Sequence, residues 1–239
     1  MKLAADLHIH SCLSPCGDDD MTPNNIVNMA YIKQLGAIAV TDHNSAKNLP
    51  AVAEVAKARG LVLVPGLEVQ TREEVHLLCY FGELEDALRF GDVLYAYLPG
   101  LPASPDVFGE QRILNENDEI IGTEPRLLIQ SLDLSIEQVA ALTREYGGLV
   151  VPAHVNKSAN SIFCNLGFIP PGLDFPALEV YRKAPLPDAD LSGYRLIHAS
   201  DAHCLAQILE PEFFVDAETC SARGVLRALG QPAGPEGLP

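Results

Sequence analysis

The nine residues LAADLHIHS, at positions 3–11, carry the pattern from which the rest of the chain is read. A strand from Ala4 to His10 alternates its side chains, so His8 and His10 project from one face while Leu7 and Ile9 go to the other. Two imidazoles side by side on a buried face are costly without a partner, and a metal ion takes both at once. Further strands are expected at Ala37 to Thr41, Leu61 to Pro65 and Val75 to Phe81. Between them, Asn24 to Leu35 and Asn48 to Arg59 place apolar residues at helical spacing and stop at Gly36 and Gly60. Strand and helix in turn are the signature of βα units around a mostly parallel sheet.

The middle of the chain breaks that rhythm. A helix from about Glu83 to Tyr97 meets LPGLPASP (98–105), whose prolines mark an irregular connection, and QRILNENDEIIG (111–122) reads as a hairpin. Residues from about 84 to 134 are therefore an elaboration. Ser135, with Gln138 three residues on, caps a helix to Tyr146, and strands follow at Gly148 to Ala153, Ala177 to Tyr181 and Arg195 to Ser200. About seven strands alternating with helices suggest one α/β domain over residues 1–230 closed into a barrel, with 231–239 a flexible tail.

Thirty-two acidic against sixteen basic residues leave a formal charge of −16 over 239 residues, which repels phosphate backbones and argues against a role on extended nucleic acid. Six cysteines, at 12, 16, 79, 164, 204 and 220, have no compact repeated spacing, which reads as a reducing compartment. No apolar run approaches the roughly 20 residues of a membrane span, and no signal peptide is visible. The expectation is a cytoplasmic protein with no membrane partner.

Six of the seven histidines fall at strand ends or beside a carboxylate. His43 follows a strand in VTDHN (40–44), Glu68 comes just past another in PGLEV (65–69), and His76 lies beyond it. His154 closes the run LVVPA, and Asp201 and His203 repeat the two-residue spacing in ASDAH (199–203). In parallel α/β proteins the carboxyl ends of strands share one rim, so these distant segments would meet there. Imidazole with carboxylate suits zinc, manganese or iron, and the donors, with one of Asp18, Asp19 and Asp20, exceed what one ion uses. Two or three ions are implied, sharing a bridging carboxylate and lowering the pKa of bound water. Asp6 and Asp42 are read as carboxylates holding an imidazole by its other nitrogen. Cys12 and Cys16 are read as partly buried thiols, and His198 as a hydrogen-bonded histidine outside the site. No Walker A pattern, nucleophile elbow or dinucleotide fingerprint occurs.

In four ordered motifs, DLHIHS (6–11), TDHN (41–44), PAHV (152–155) and SDAH (200–203), with GLEV (66–69) and His76 between the second and third, the sequence resembles the polymerase-and-histidinol-phosphatase (PHP) family of metal-dependent phosphoesterases. The resemblance implies a distorted (β/α)7 TIM-like barrel. It makes His8, His10, His43, Glu68, His76, His154, Asp201 and His203 metal ligands, with Glu68 bridging and with Glu68, Asp201 and His203 taken as catalytic. Many relatives carry an Asp five residues after the second motif histidine, where this chain has Pro15; counting back from Pro23 selects Asp18 instead. The activity implied is hydrolysis of a small phosphate ester by a metal-bound hydroxide, with Lys157 and Arg182, and also Lys183, placed to hold the phosphate. The alternatives are phosphodiester or exonuclease cleavage of short nucleic acid, amidohydrolase chemistry, and a non-catalytic, metal-stabilised regulatory module.

Overall fold

The computed structural model describes residues 1–230, so the expected tail at 231–239 lies outside the described residues. The elements run β1 (Lys2–Ile9), α1 (Pro23–Ile32), β2 (Ala37–Val40), α2 (Leu49–Arg59), β3 (Val62–Leu63), β4 (Gly66–Gln70) and β5 (His76–Tyr80). They continue with α3 (Leu84–Tyr95), α4 (Pro105–Phe108), β6 (Arg112–Leu114), β7 (Ile120–Thr123), α5 (Ile136–Glu145) and β8 (Leu149–Pro152). The chain then forms α6 (Ile162–Leu166), β9 (Ala177–Glu179), β10 (Arg195–Ile197), β11 (Phe214–Asp216) and α7 (Ala222–Gly230).

Local chemistry sets the helix ends. Thr22 caps α1 by accepting from the Asn25 amide, with Pro23 in the first turn where its missing N–H costs nothing. The helix stops at Lys33, three residues short of the glycine expected to end it. Gly60 ends α2 at φ 72°, a left-handed conformation that glycine takes without strain. Ser135 and Gln138 form a reciprocal capping box at the start of α5.

The pairing is a parallel core with antiparallel departures. β1, β2 and β3 are parallel, β11 joins β1 antiparallel, and β9 pairs with β10 in parallel. The β4–β5–β8 sheet is antiparallel throughout, contrary to the mostly parallel expectation, because only five residues (71–75) join β4 to β5 and a parallel crossover needs a dozen or more. Among the described residues the strands form four separate sheets and not one closed barrel. Apart from β1, the strands are only two to five residues long and supply few ladder bonds, and single links span the gaps: Ile9 with Ala202, His43 with Glu68, and the Val155 amide to the Glu179 carbonyl at 2.8 Å.

A register irregularity between Asp6 and Ile9 interrupts the β1–β2 ladder. Leu7 and Ile9, expected on a common face, consequently join different apolar groups, Leu7 with Ala39, Val64 and Leu78, and Ile9 with Ile38, Val40 and Leu67. Such irregularities re-aim side chains beside functional sites, and here His8 and His10 still converge. The segment from 84 to 134 holds α3, α4 and the expected hairpin, β6–β7. It is tied to the sheets by buried polar contacts: Asn48 Oδ1 accepts from the Leu114 amide at 2.9 Å, and the Asn44 amide group donates to the Leu128 and Gln130 carbonyls, both at 2.8 Å.

Candidate metal centre

Glu68 sits in the middle of β4, paired with Leu78 of β5, and not past a strand end as expected. Its carboxylate is 1% exposed and is the point on which the imidazoles converge. Oε1 lies 2.8 Å from His76 Nδ1, 3.2 Å from His154 Nε2 and 3.3 Å from His8 Nε2. Oε2 lies 3.1 Å from His43 Nδ1 and 3.4 Å from His10 Nε2. Asp201 Oδ1 closes the other side, 3.2 Å from His8 Nε2 and 3.3 Å from His10 Nε2. His203 stacks on His10 with ring centroids 4.5 Å apart. All eight histidines and acids that the family resemblance named, Asp18 apart, are thus brought into one buried cluster.

Backbone geometry contributes to this convergence. His154 at φ 28°, Asp201 at φ 52° and Asn44 at φ 50° occupy the left-handed region, which side-chain-bearing residues rarely adopt and which concentrates at functional sites. Each lies shortly after a strand: Asn44 after β2, His154 after β8 and Asp201 after β10.

The charges are balanced within the cluster. Burial alone would raise Glu68, but His76, His8 and His43 outweigh it and hold its carboxyl well below the ordinary range. Asp201 is likewise held low, by His8 and His10 against its own burial. Burial works to lower His8, yet Glu179, Asp201 and Glu68 lift it well above the ordinary histidine value; His10, opposed by burial in the same way, is raised to about 9 by Asp201 and Glu68. His43 is lowered, and His203 falls to about 4, in both cases first through burial. The surrounding acids thus favour positive charge at His8 and His10, the charge that a divalent cation would supply.

The donor set fits metal ions. Three groups of ligand atoms lie within 4.8 Å of one another: His8, His10, Glu68 and Asp201; His43, Glu68 and His76; and His10, Cys16, His43 and His203. Imidazole nitrogens and carboxylate oxygens in this number, buried together, are the donors that zinc, manganese or iron take, and among the described residues His76 Nε2 and His154 Nδ1, the ring nitrogens opposite those facing Glu68, have no hydrogen-bond partner. His8, His10, His43, His76, His154, His203, Glu68 and Asp201 are the residues that would hold them.

Several residues depart from expectation. Asp18 is exposed, as are Asp19 and Asp20, and Asp18 belongs to none of the three groups. Its amide donates to the His203 carbonyl at 2.8 Å, which ties the loop down by its backbone and leaves the carboxylate facing outward. Asp6 holds no imidazole; it accepts the Ser200 and Leu209 amides at 3.0 and 2.9 Å, deeper along β1. Asp42 reaches His10 only through Ser14, whose hydroxyl donates to Asp42 Oδ1 at 2.6 Å and lies 3.0 Å from His10 Nδ1. Arg182 is exposed and pairs with Glu212, outside the cluster, and Lys183 is exposed. Lys157 pairs with Asp201 at the cluster's edge. His198 Nδ1 donates to the Val180 carbonyl, outside the cluster as expected.

Glu179 is the residue that sequence reasoning missed. It is 1% exposed, its two oxygens lie 3.0 and 3.1 Å from His8 Nδ1, and Oε2 accepts the His154 amide at 2.7 Å. The available signal was a single acid inside the apolar strand ALEV, since a charge buried in such a run must have a partner. By directing His8 Nε2 at the cluster, Glu179 sets that ring's orientation and basicity. Glu179→Gln is expected to weaken binding of divalent ions about 10–100-fold. Competition against a chromogenic chelator measures this, and an affinity equal to the parent's would remove Glu179 from that role.

Comparisons with known proteins agree with this geometry. The PHP domain model matches residues 6–132, more than half of the chain. The 5'-3' exoribonuclease Rnm of Salmonella typhimurium is 35% identical over 78 residues, 30% of this chain and 26% of that protein. The chain thus matches about a quarter of the length of that curated relative. Among solved structures, the lesion-specific endonuclease PfuEndoQ from Pyrococcus furiosus superposes with a TM-score of 0.71 at 20% identity, over 96% of this chain and 56% of that one. A protein described as a metal-dependent phosphoesterase, from Bifidobacterium adolescentis, does so with a TM-score of 0.63 at 19% identity, over 94% of this chain and 96% of that one. The ordered motifs, the cluster they build and the matched domain lead to one assignment: this chain belongs to the PHP domain family.

Proposed function

We propose that this protein is a metal-dependent phosphoesterase that hydrolyses a small phosphate ester at a centre of two or three divalent ions, zinc, manganese or iron. The observation that carries the reading is the convergence of five imidazoles on the single buried carboxylate of Glu68. Bound there, the ions would neutralise phosphoryl oxygens and bring the pKa of water toward neutrality. Glu68 lies between the two flanks of the cluster and would be the carboxylate shared between ions bound on either side. Asp201 and His203 form the accessible edge, with side chains 8% and 31% exposed, and are the residues nearest an incoming substrate. Lys157, 30% exposed and paired with Asp201, is free to turn from that carboxylate to a phosphate oxygen. The reading also takes the four sheets as parts of one distorted seven-stranded barrel over residues 1–230, with 84–134 an elaboration at its rim.

A nuclease reading is favoured by specific relatives. Rnm is named as a 5'-3' exoribonuclease, and endonuclease Q has been seen with a 27-mer duplex carrying an abasic lesion at its active site. A net charge of −16 does not exclude such a substrate, because ions bound at the centre would dominate the local field over the distant surface.

The test is to load the protein with zinc, manganese or iron(II) and offer phosphomonoesters, 5'-labelled oligoribonucleotides and an abasic duplex in parallel. Phosphate release from monoesters supports the first reading, and shortening or nicking of the polynucleotides alone supports the second. Ion-loaded protein that turns over none of them would leave a regulatory, metal-stabilised module as the account.

A further inference from the structure

We propose that Cys16 is a metal ligand, completing a cation site with His43 and His203, so that this end of the cluster selects zinc over manganese and magnesium. The proposal deepens the reading of the cluster as a metal centre and rests on it. The ligand atoms of Cys16, His43, His203 and His10 all lie within 4.8 Å of one another. His10 is already committed, its Nδ1 to Ser14 Oγ at 3.0 Å and its Nε2 among His8, Glu68 and Asp201. The remaining three residues would supply the three protein ligands that catalytic zinc sites use.

Two independent features show that these side chains are set up to bind. His203 Nδ1 donates to the Asp201 carbonyl at 2.8 Å, which fixes the tautomer and leaves the lone pair on Nε2. His43 is 2% exposed, and its Nδ1 lies 3.1 Å from Glu68 Oε2, so Nε2 is the ring nitrogen left for the Cys16 side.

The backbone explains why Cys16, and not Asp18, reaches the cluster. Gly17 passes so close to Ser11 that an added Cβ would stand 2.4 Å from the Ser11 carbonyl oxygen. The Gly17 amide donates to the Ser14 carbonyl at 2.9 Å, and the Asp18 amide pins the loop to His203. That tight turn brings the residue before the glycine to the cluster and sends the three acids after it to the surface. A thiolate at this position supplies a soft donor, which favours zinc, where a carboxylate would suit manganese or magnesium.

Cobalt(II) titration of metal-depleted full-length protein tests the proposal, because a cobalt–thiolate bond absorbs in the near ultraviolet and nitrogen or oxygen ligation does not. The parent is expected to develop this band, Cys16→Ser to lose it while still binding cobalt at the rest of the cluster, and Cys164→Ser, an exposed thiol, to keep it. Cys16→Asp is expected to bind ions in the parent's number but to lower the preference for zinc over manganese by at least about tenfold. Cobalt bound without the band, or a band that persists in Cys16→Ser, would overturn the role of Cys16 and leave the metal centre standing. A parent that binds no cobalt, zinc or manganese would overturn both.

Discussion

Glu68→Gln is expected to cost the protein at least one bound ion per chain and to lower turnover by roughly a thousandfold or more, the upper end of what one preorganised electrostatic group contributes. The substitution keeps the shape of the side chain, so the β4–β5 pairing around it is retained and far-ultraviolet circular dichroism is expected to match the parent. What changes is charge and valence. Glu68 presents two anionic oxygens to five imidazoles at 2.8–3.4 Å, whereas glutamine offers one neutral oxygen and turns an N–H₂ group toward rings that need an acceptor. A bridging position cannot be filled on those terms. Elemental analysis and initial rates at saturating ion measure the two effects. Parental ion content together with parental turnover would show that Glu68 bridges nothing.

Stripping the ions is expected to lower the melting temperature by roughly 8–16 °C. A ligand present at a thousand times its Kd contributes about 4.1 kcal/mol to the folded state. For a domain of this size each kcal/mol corresponds to about 2–4 °C. The structural reason is the packing of six histidines and three acids, Glu68, Glu179 and Asp201, into one largely buried volume, where their mutual satisfaction depends on cations. Calorimetry before and after dialysis against a strong chelator, with restoration by added ion, makes the measurement. A melting temperature indifferent to both steps would mean that the cluster takes no ion.

Much of the site was legible before any coordinates because its chemistry is concentrated at strand ends. His8 and His10 at period-two spacing, His43 after AIAV, His154 after LVVPA and the Asp201–His203 pair all reached the cluster from local pattern alone. The errors share a cause. Asp18 was chosen by counting along the chain, but a tight turn at Gly17 decides which side chain faces inward, and steric closeness between residues 11 and 17 is not written in spacing. Asp6, expected to hold an imidazole by its other nitrogen, instead accepts the amides of Ser200 and Leu209, because closeness in sequence to His8 says nothing of which distant segment packs against it.

By itself, the sequence determined that strands alternate with helices and that imidazoles and acids end those strands, since periodicity and residue type are local properties of the chain. Only the tertiary structure decided that Glu68 would be the hub, that Glu179 would hold His8, that Cys16 and not Asp18 would come within reach of the cluster, and that β4, β5 and β8 would pair antiparallel. Each of these depends on which distant segments come within 3–5 Å of one another. That proximity is set by packing across the whole fold, where segments as distant as those of His8 and Glu179, 171 residues apart, must meet in one geometry.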